Sequence, residues 1–84
     1  MEISVDISMY PLQSKYEAPI SAFIEKLKQE PTVKVSCNEL NTQLHGDYRI
    51  IMKMLEEEIY SVFKEIPDSI FVLKLVGHNR EGRF

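Results

Sequence analysis

The sequence predicts an α+β sandwich, a four-stranded antiparallel sheet with two helices on one of its faces, in the chain order β-α-β-β-α-β. Three observations predict it. Strict alternation of apolar and polar residues opens the chain and returns after Pro31; two stretches with apolar residues at three- and four-residue steps mark the helices; and Pro11, Pro31 and Pro67 stand where those patterns stop. At 84 residues, with 44% apolar and 27% charged side chains, the chain has the balance of a globular domain and the length of one, so residues 1–84 are assigned to a single core.

From Glu2 to Tyr10, Ile3, Val5, Ile7 and Met9 fall on one side of an extended chain and Glu2, Ser4, Asp6, Ser8 and Tyr10 on the other, which is a half-buried strand closed by Pro11. Tyr16, Ile20, Phe23, Ile24 and Leu27 then recur with helical spacing. Ser14 and Glu17 have capping-box spacing, but a cap at Ser14 would place Pro19 in the second turn, where its ring meets the carbonyl four residues back. Regular helix is therefore expected from about Glu17, ending before Pro31.

Val33, Val35 and Cys37 alternate with Lys34, Ser36 and Asn38, and a second short run spans Leu40 to His45, with a tight turn expected at Asn38-Glu39. On this alternation Cys37 reads as a small buried hydrophobe. Gly46 is expected to break the strand and Asp47 to cap the next helix. That helix, the longest element, carries Ile51, Met54, Leu55, Ile59, Val62, Phe63 and Ile66 on one face and the run Glu56-Glu57-Glu58 on a solvated one. Ser69 to Val76 is the last strand, apolar on both faces except at Lys74.

This order is the split βαβ of the ferredoxin-like sandwich, with the first and third strands central and the fourth at an edge. An edge strand apolar on both sides invites pairing with another chain. A homo-dimer or tetramer is therefore expected, built on the sheet face opposite the helices or on that edge. Residues 77–84, with Arg80 and Arg83, read as a flexible tail or as charge offered to a neighbouring subunit.

Composition narrows function. A net charge of −3 argues against capture of nucleic acid or an anionic membrane, and no apolar run approaches the roughly 18 residues of a membrane span. One cysteine precludes an intrachain disulfide and suits a cytoplasmic setting. His45, His78 and Cys37 lack metal-ligand spacing, so no metal is expected, and Gly46, Gly77 and Gly82 are too isolated to form a phosphate loop.

The remaining chemistry lies in two polar segments, Ser8-Met9-Tyr10-Pro11 and Asn41-Thr42-Gln43-Leu44-His45-Gly46-Asp47. Strand parity places Asp6, Ser8, Asn41, Gln43 and His45 on the open face, beside the ring of Tyr10, and puts Thr42 beneath the helices with Leu40 and Leu44. Such a group, with a carboxylate, hydroxyls, amides and an imidazole, suits a small neutral or cationic heterocycle, with no catalytic residue indicated.

Ser8-Met9-Tyr10-Pro11-Leu12, the Asn41–Asp47 segment and the final Phe71-Val72-Leu73-Lys74-Leu75, in this order and spacing, resemble the small YkoF-like thiamine- or hydroxymethylpyrimidine-binding proteins over residues 2–76. The resemblance implies a ferredoxin-like cytoplasmic homo-oligomer that is not an enzyme, has no cofactor, and takes thiamine or its pyrimidine moiety as ligand. It implies that Ser8, Tyr10 and Thr42 lie near the ligand, with Asn41 and Gln43 as further candidates. A protein-interaction domain that self-associates through the open sheet face is the alternative. A phosphate-ester enzyme on the same fold would use Arg49, but Asp47 beside it repels phosphate.

Overall fold

The computed structural model describes residues 1–83; Phe84, the end of the expected tail, lies outside the described residues. The chain forms β1 (Glu2–Pro11), α1 (Glu17–Leu27), β2 (Lys34–Cys37), β3 (Thr42–Asp47), α2 (Tyr48–Glu65) and β4 (Ser69–Val76). The sheet is antiparallel throughout in the order β2-β3-β1-β4, so β1 and β3 are central and β4 is an edge, as the ferredoxin-like reading requires.

Register explains the alternation of burial. Val5 lies opposite Leu44 and Ile7 opposite Thr42, and all four are buried under the helices. Ser4 opposite His45 and Asp6 opposite Gln43 occupy the other face. Phe23 and Leu27 of α1 and Ile51 and Leu55 of α2 close the core from above, and each fully buried side chain such as Leu27, Leu44 or Ile51 contributes roughly 1.5–3 kcal/mol of hydrophobic stabilisation. Phe71 joins the layers: its ring centroid lies 5.1 Å from that of Phe23 and 5.5 Å from that of Phe63, the second pair edge-on.

The helix termini follow their local chemistry. α1 starts at Glu17 with no side-chain cap, and Pro19 falls in its first turn, where a missing N–H leaves no helical bond unmade. Asp47 is the N-cap of α2, and its Oδ2 accepts the N–H groups of Arg49 and Ile50 at 3.0 and 3.2 Å. The Ile50 N–H, with the Met1 amino group and the Arg49 N–H, holds the Asp47 carboxyl below its ordinary range against the opposing effect of desolvation.

Four details differ from the sequence reading. The connection between β2 and β3 takes the four residues Asn38–Asn41 instead of a two-residue turn: Asn38 Oδ1 accepts the N–H of Leu40 at 2.8 Å and of Asn41 at 3.0 Å, and the Asn38 N–H donates to the Asn41 carbonyl. Leu40 therefore sits in the loop, 91% exposed, and does not face the helices. Gly46 does not break β3. It continues the strand where a Cβ would meet the Thr32 carbonyl at 3.3 Å and Val33 at 3.4 Å, so its lack of a side chain allows the entry to β2 to pack against it. Cys37 is exposed, because it ends the outermost strand.

β4 keeps its edge uncovered. Ile70, Val72 and Val76 on the open face and Leu73 and Leu75 on the helix side are all at least 36% exposed. No helix among the described residues is long and apolar enough to cross a membrane.

Candidate functional site

β1 is longer than its partner on one side. Its pairing with β3 ends at Ile7 opposite Thr42, whereas its pairing with β4 continues to Pro11 opposite Ser69. Over Ser8–Tyr10 the edge of β1 that faces β3 therefore has no strand partner. The Asn38–Asn41 loop and the side of α1 at Ile20 and Ile24 wall this edge off, leaving a cleft of about 170 Å³.

Ser8, Tyr10, Asn41 and Thr42 all line that cleft. Ser8 and Thr42 lie on opposite faces of the sheet by parity, and Thr42 is 7% exposed beneath the helices. They reach one cleft because it opens at the end of β3, where the sheet stops separating its two sides. Tyr10 is half exposed and presents a ring, Ile7, Ile20 and Ile24 supply an apolar floor, and Glu39 adds a carboxylate from the loop.

Asp6, Gln43 and His45 are placed elsewhere. They line a second pocket, of about 250 Å³, on the open sheet face one to two residue pairs further along β1, together with Ser4, Lys74, Arg80 and Arg83. One hydrogen bond links the two groups: Asn41 Nδ2 donates to Asp6 Oδ1 at 2.9 Å. It fixes the loop to the central strand and sets the orientation of the Asn41 amide.

Ser4 was not among the residues expected to carry chemistry, yet it is the polar centre of the second pocket. Its Oγ lies 2.7 Å from His45 Nδ1 and accepts the Arg80 N–H at 2.7 Å. Cross-strand register was the signal that could have found it, since antiparallel pairing that sets Asp6 opposite Gln43 must set Ser4 opposite His45. The segment read as a flexible tail makes these contacts too: besides Arg80, Asn79 Nδ2 donates to Glu2 Oε1 at 2.8 Å.

The fold is shared by solved proteins of low sequence similarity. A Streptococcus pneumoniae protein superimposes with a TM-score of 0.83 at 20% identity, over 98% of this chain and 92% of that one. A Thermotoga maritima protein, described as a candidate thiamine biosynthesis or salvage protein, does so with 0.80 at 19% identity, over 100% of this chain and 89% of that one. A hypothetical protein of Methanocaldococcus jannascii gives 0.80 at 22% identity, over 99% and 87%. No family model matches the sequence, and no curated protein matches it. Likeness at these identities establishes the architecture, and function rests on the geometry of the site.

Proposed function

We propose that the protein is a non-enzymatic, cytoplasmic binder of thiamine or its hydroxymethylpyrimidine moiety, working as a homo-dimer or tetramer. The observation that carries this reading is the convergence of Ser8, Tyr10, Asn41 and Thr42 on one small cleft at the free edge of β1. An aminopyrimidine is flat and has adjacent donor and acceptor positions. It matches a cleft with an aromatic ring, two hydroxyls, an amide and a stretch of unpaired strand backbone above an apolar floor. Glu39 in the wall, and Asp6 behind Asn41, give the surroundings the negative sign that favours the thiazolium of thiamine. The Thermotoga neighbour of the same fold, with its description in thiamine biosynthesis or salvage, supports the same ligand class.

Assembly is supported by β4, whose exposed Ile70, Val72, Leu73, Leu75 and Val76 form the kind of edge that another strand covers. A second copy, paired edge to edge or seated on the open face, would bury it.

Isothermal titration with thiamine and with hydroxymethylpyrimidine tests the proposal. Saturable binding is expected, weakened about tenfold or more by Tyr10→Ala and by Asn41→Ala, the size of effect produced by losing a stacked ring or a well-placed amide. Absence of binding at millimolar ligand would rule it out. The same apolar face of β4 favours a second reading, an interaction domain that self-associates without a ligand; under it, Ser8→Ala and Tyr10→Ala alter assembly and no heterocycle binds.

A further inference from the structure

We propose that the pocket between the C-terminal turn and the open sheet face is a second binding site, for a small oxyanion, held between Lys74 of β4 and Arg80 and Arg83 of the turn. This site is separate from the β1 cleft and does not depend on what that cleft binds.

The turn is built, with a fixed place over the sheet. The Arg80 carbonyl accepts the Arg83 N–H at 2.9 Å, and Gly82 occupies the left-handed position between them at φ 70°. Asn79 Oδ1 accepts the Glu81 N–H at 2.9 Å, and the Arg80 N–H is bound to Ser4 Oγ. These bonds set Arg80 and Arg83 at the two ends of one tight turn, both lining the same pocket. Lys74 lines the same pocket from β4. It is the one charged residue in β4, and its register opposite Asp6 brings it to the open face.

The charge there runs against that of the protein. The chain as a whole has a net charge of −3, but three cationic residues, Lys74, Arg80 and Arg83, and one acidic residue, Asp6, line this pocket, with Arg80 Nη1 also 3.5 Å from His78 Nε2. The carboxylate, Asp6, already has one oxygen occupied by Asn41 Nδ2. The ion pairs among the described residues use Met1, Lys28 and Lys34 as their cations, so Lys74, Arg80 and Arg83 have no carboxylate of the described residues within 4.0 Å. Three cations gathered beside one carboxylate, none of them in an ion pair among the described residues, leave an excess of positive charge that an anion between them would relieve. Guanidinium forks match the oxygens of a phosphate or carboxylate in pairs, and the buried Ser4–His45 pair gives the pocket a polar wall. The volume of about 250 Å³ leaves room beyond a single phosphate or carboxylate group for the molecule that bears it.

Titration of the ¹⁵N-labelled protein with inorganic phosphate and, separately, with acetate, against sodium chloride at matched ionic strength, tests the inference. Saturable shifts are expected at Ser4, His45, Lys74 and residues 79–83, and Arg83→Gln and Lys74→Gln should each weaken the response about tenfold while the amide spectrum elsewhere stays that of the folded protein. The stronger of the two probes identifies the site as phosphoryl- or carboxylate-binding. Shifts that chloride reproduces, or that both variants leave at full strength, would overturn it. Because Tyr10→Ala alters only the β1 cleft, failure of one site is distinguishable from failure of the other.

Discussion

Ser4 and His45 meet across the two central strands, Oγ to Nδ1 at 2.7 Å, and the same hydroxyl accepts the N–H of Arg80. With the ring proton on Nε2, Ser4 donates to Nδ1; with it on Nδ1, the Nδ1–H donates to Oγ, which has lone pairs for both partners. Ser4→Ala leaves the imidazole nitrogen and the Arg80 N–H without their partner. A loss of about 1–3 kcal/mol of folding stability is expected in urea denaturation, with faster hydrogen exchange at Arg80.

The cap at Asp47 makes stability depend on pH in a definite direction. Hydrogen bonding from the Ile50 N–H and the Met1 amino charge hold its folded pKa below the unfolded value, and Thr32 does the same for Glu30 through its hydroxyl and its N–H. A depressed carboxyl pKa stabilises the fold fully above the unfolded value and loses that contribution as pH falls through the folded one. Acidification from about pH 6 to about pH 3 should lower the Tm of the wild type more than that of an Asp47→Ala, Glu30→Gln double variant. Parallel acid profiles would refute the assignment.

Gly46 is required by contact with a neighbouring segment. Its missing Cβ faces the Thr32 carbonyl and Val33, both backbone or β-branched groups with little freedom to retreat. Gly46→Ala is expected to destabilise the protein by about 1–3 kcal/mol, the usual range for overpacking. Thermal denaturation measures it, and an unchanged Tm would show that the entry to β2 yields.

A charge in the uncovered edge tests assembly. Val72 is 48% exposed in the middle of β4, so Val72→Lys removes no core packing. If a second copy pairs there, sedimentation should shift from oligomer to monomer while the folded amide spectrum persists. A wild type that is already monomeric at high micromolar concentration would exclude this interface.

Much of the architecture was legible in the chain because it rests on short-range patterns. The alternation of Ile3, Val5, Ile7 and Met9 fixed the buried face of β1, Pro19 moved the start of α1 to Glu17, and Asp47 capped α2, each through interactions within a few residues. Cys37, Leu40 and Gly46 differ from expectation through features that alternation does not record: where the sheet ends, where a loop begins, and which segment packs against a strand. Alternation says which side a residue faces, but burial on that side depends on whether another element reaches it, and no local pattern records where a helix ends above the sheet or which segment packs against a strand.

The site divides along the same line. The sequence by itself determined the residue types and their faces: Asp6, Gln43 and His45 on the open side, Thr42 beneath the helices. Only the tertiary structure decided their company. The unequal lengths of β1 and β3 bring Ser8 and Thr42 to one cleft from opposite faces, while the return of the chain after β4 sets Arg80 and Arg83 beside Asp6 and His45. Both arrangements join residues more than thirty positions apart, and such contacts are set by the packing of whole elements, which the periodicity of any one segment does not encode.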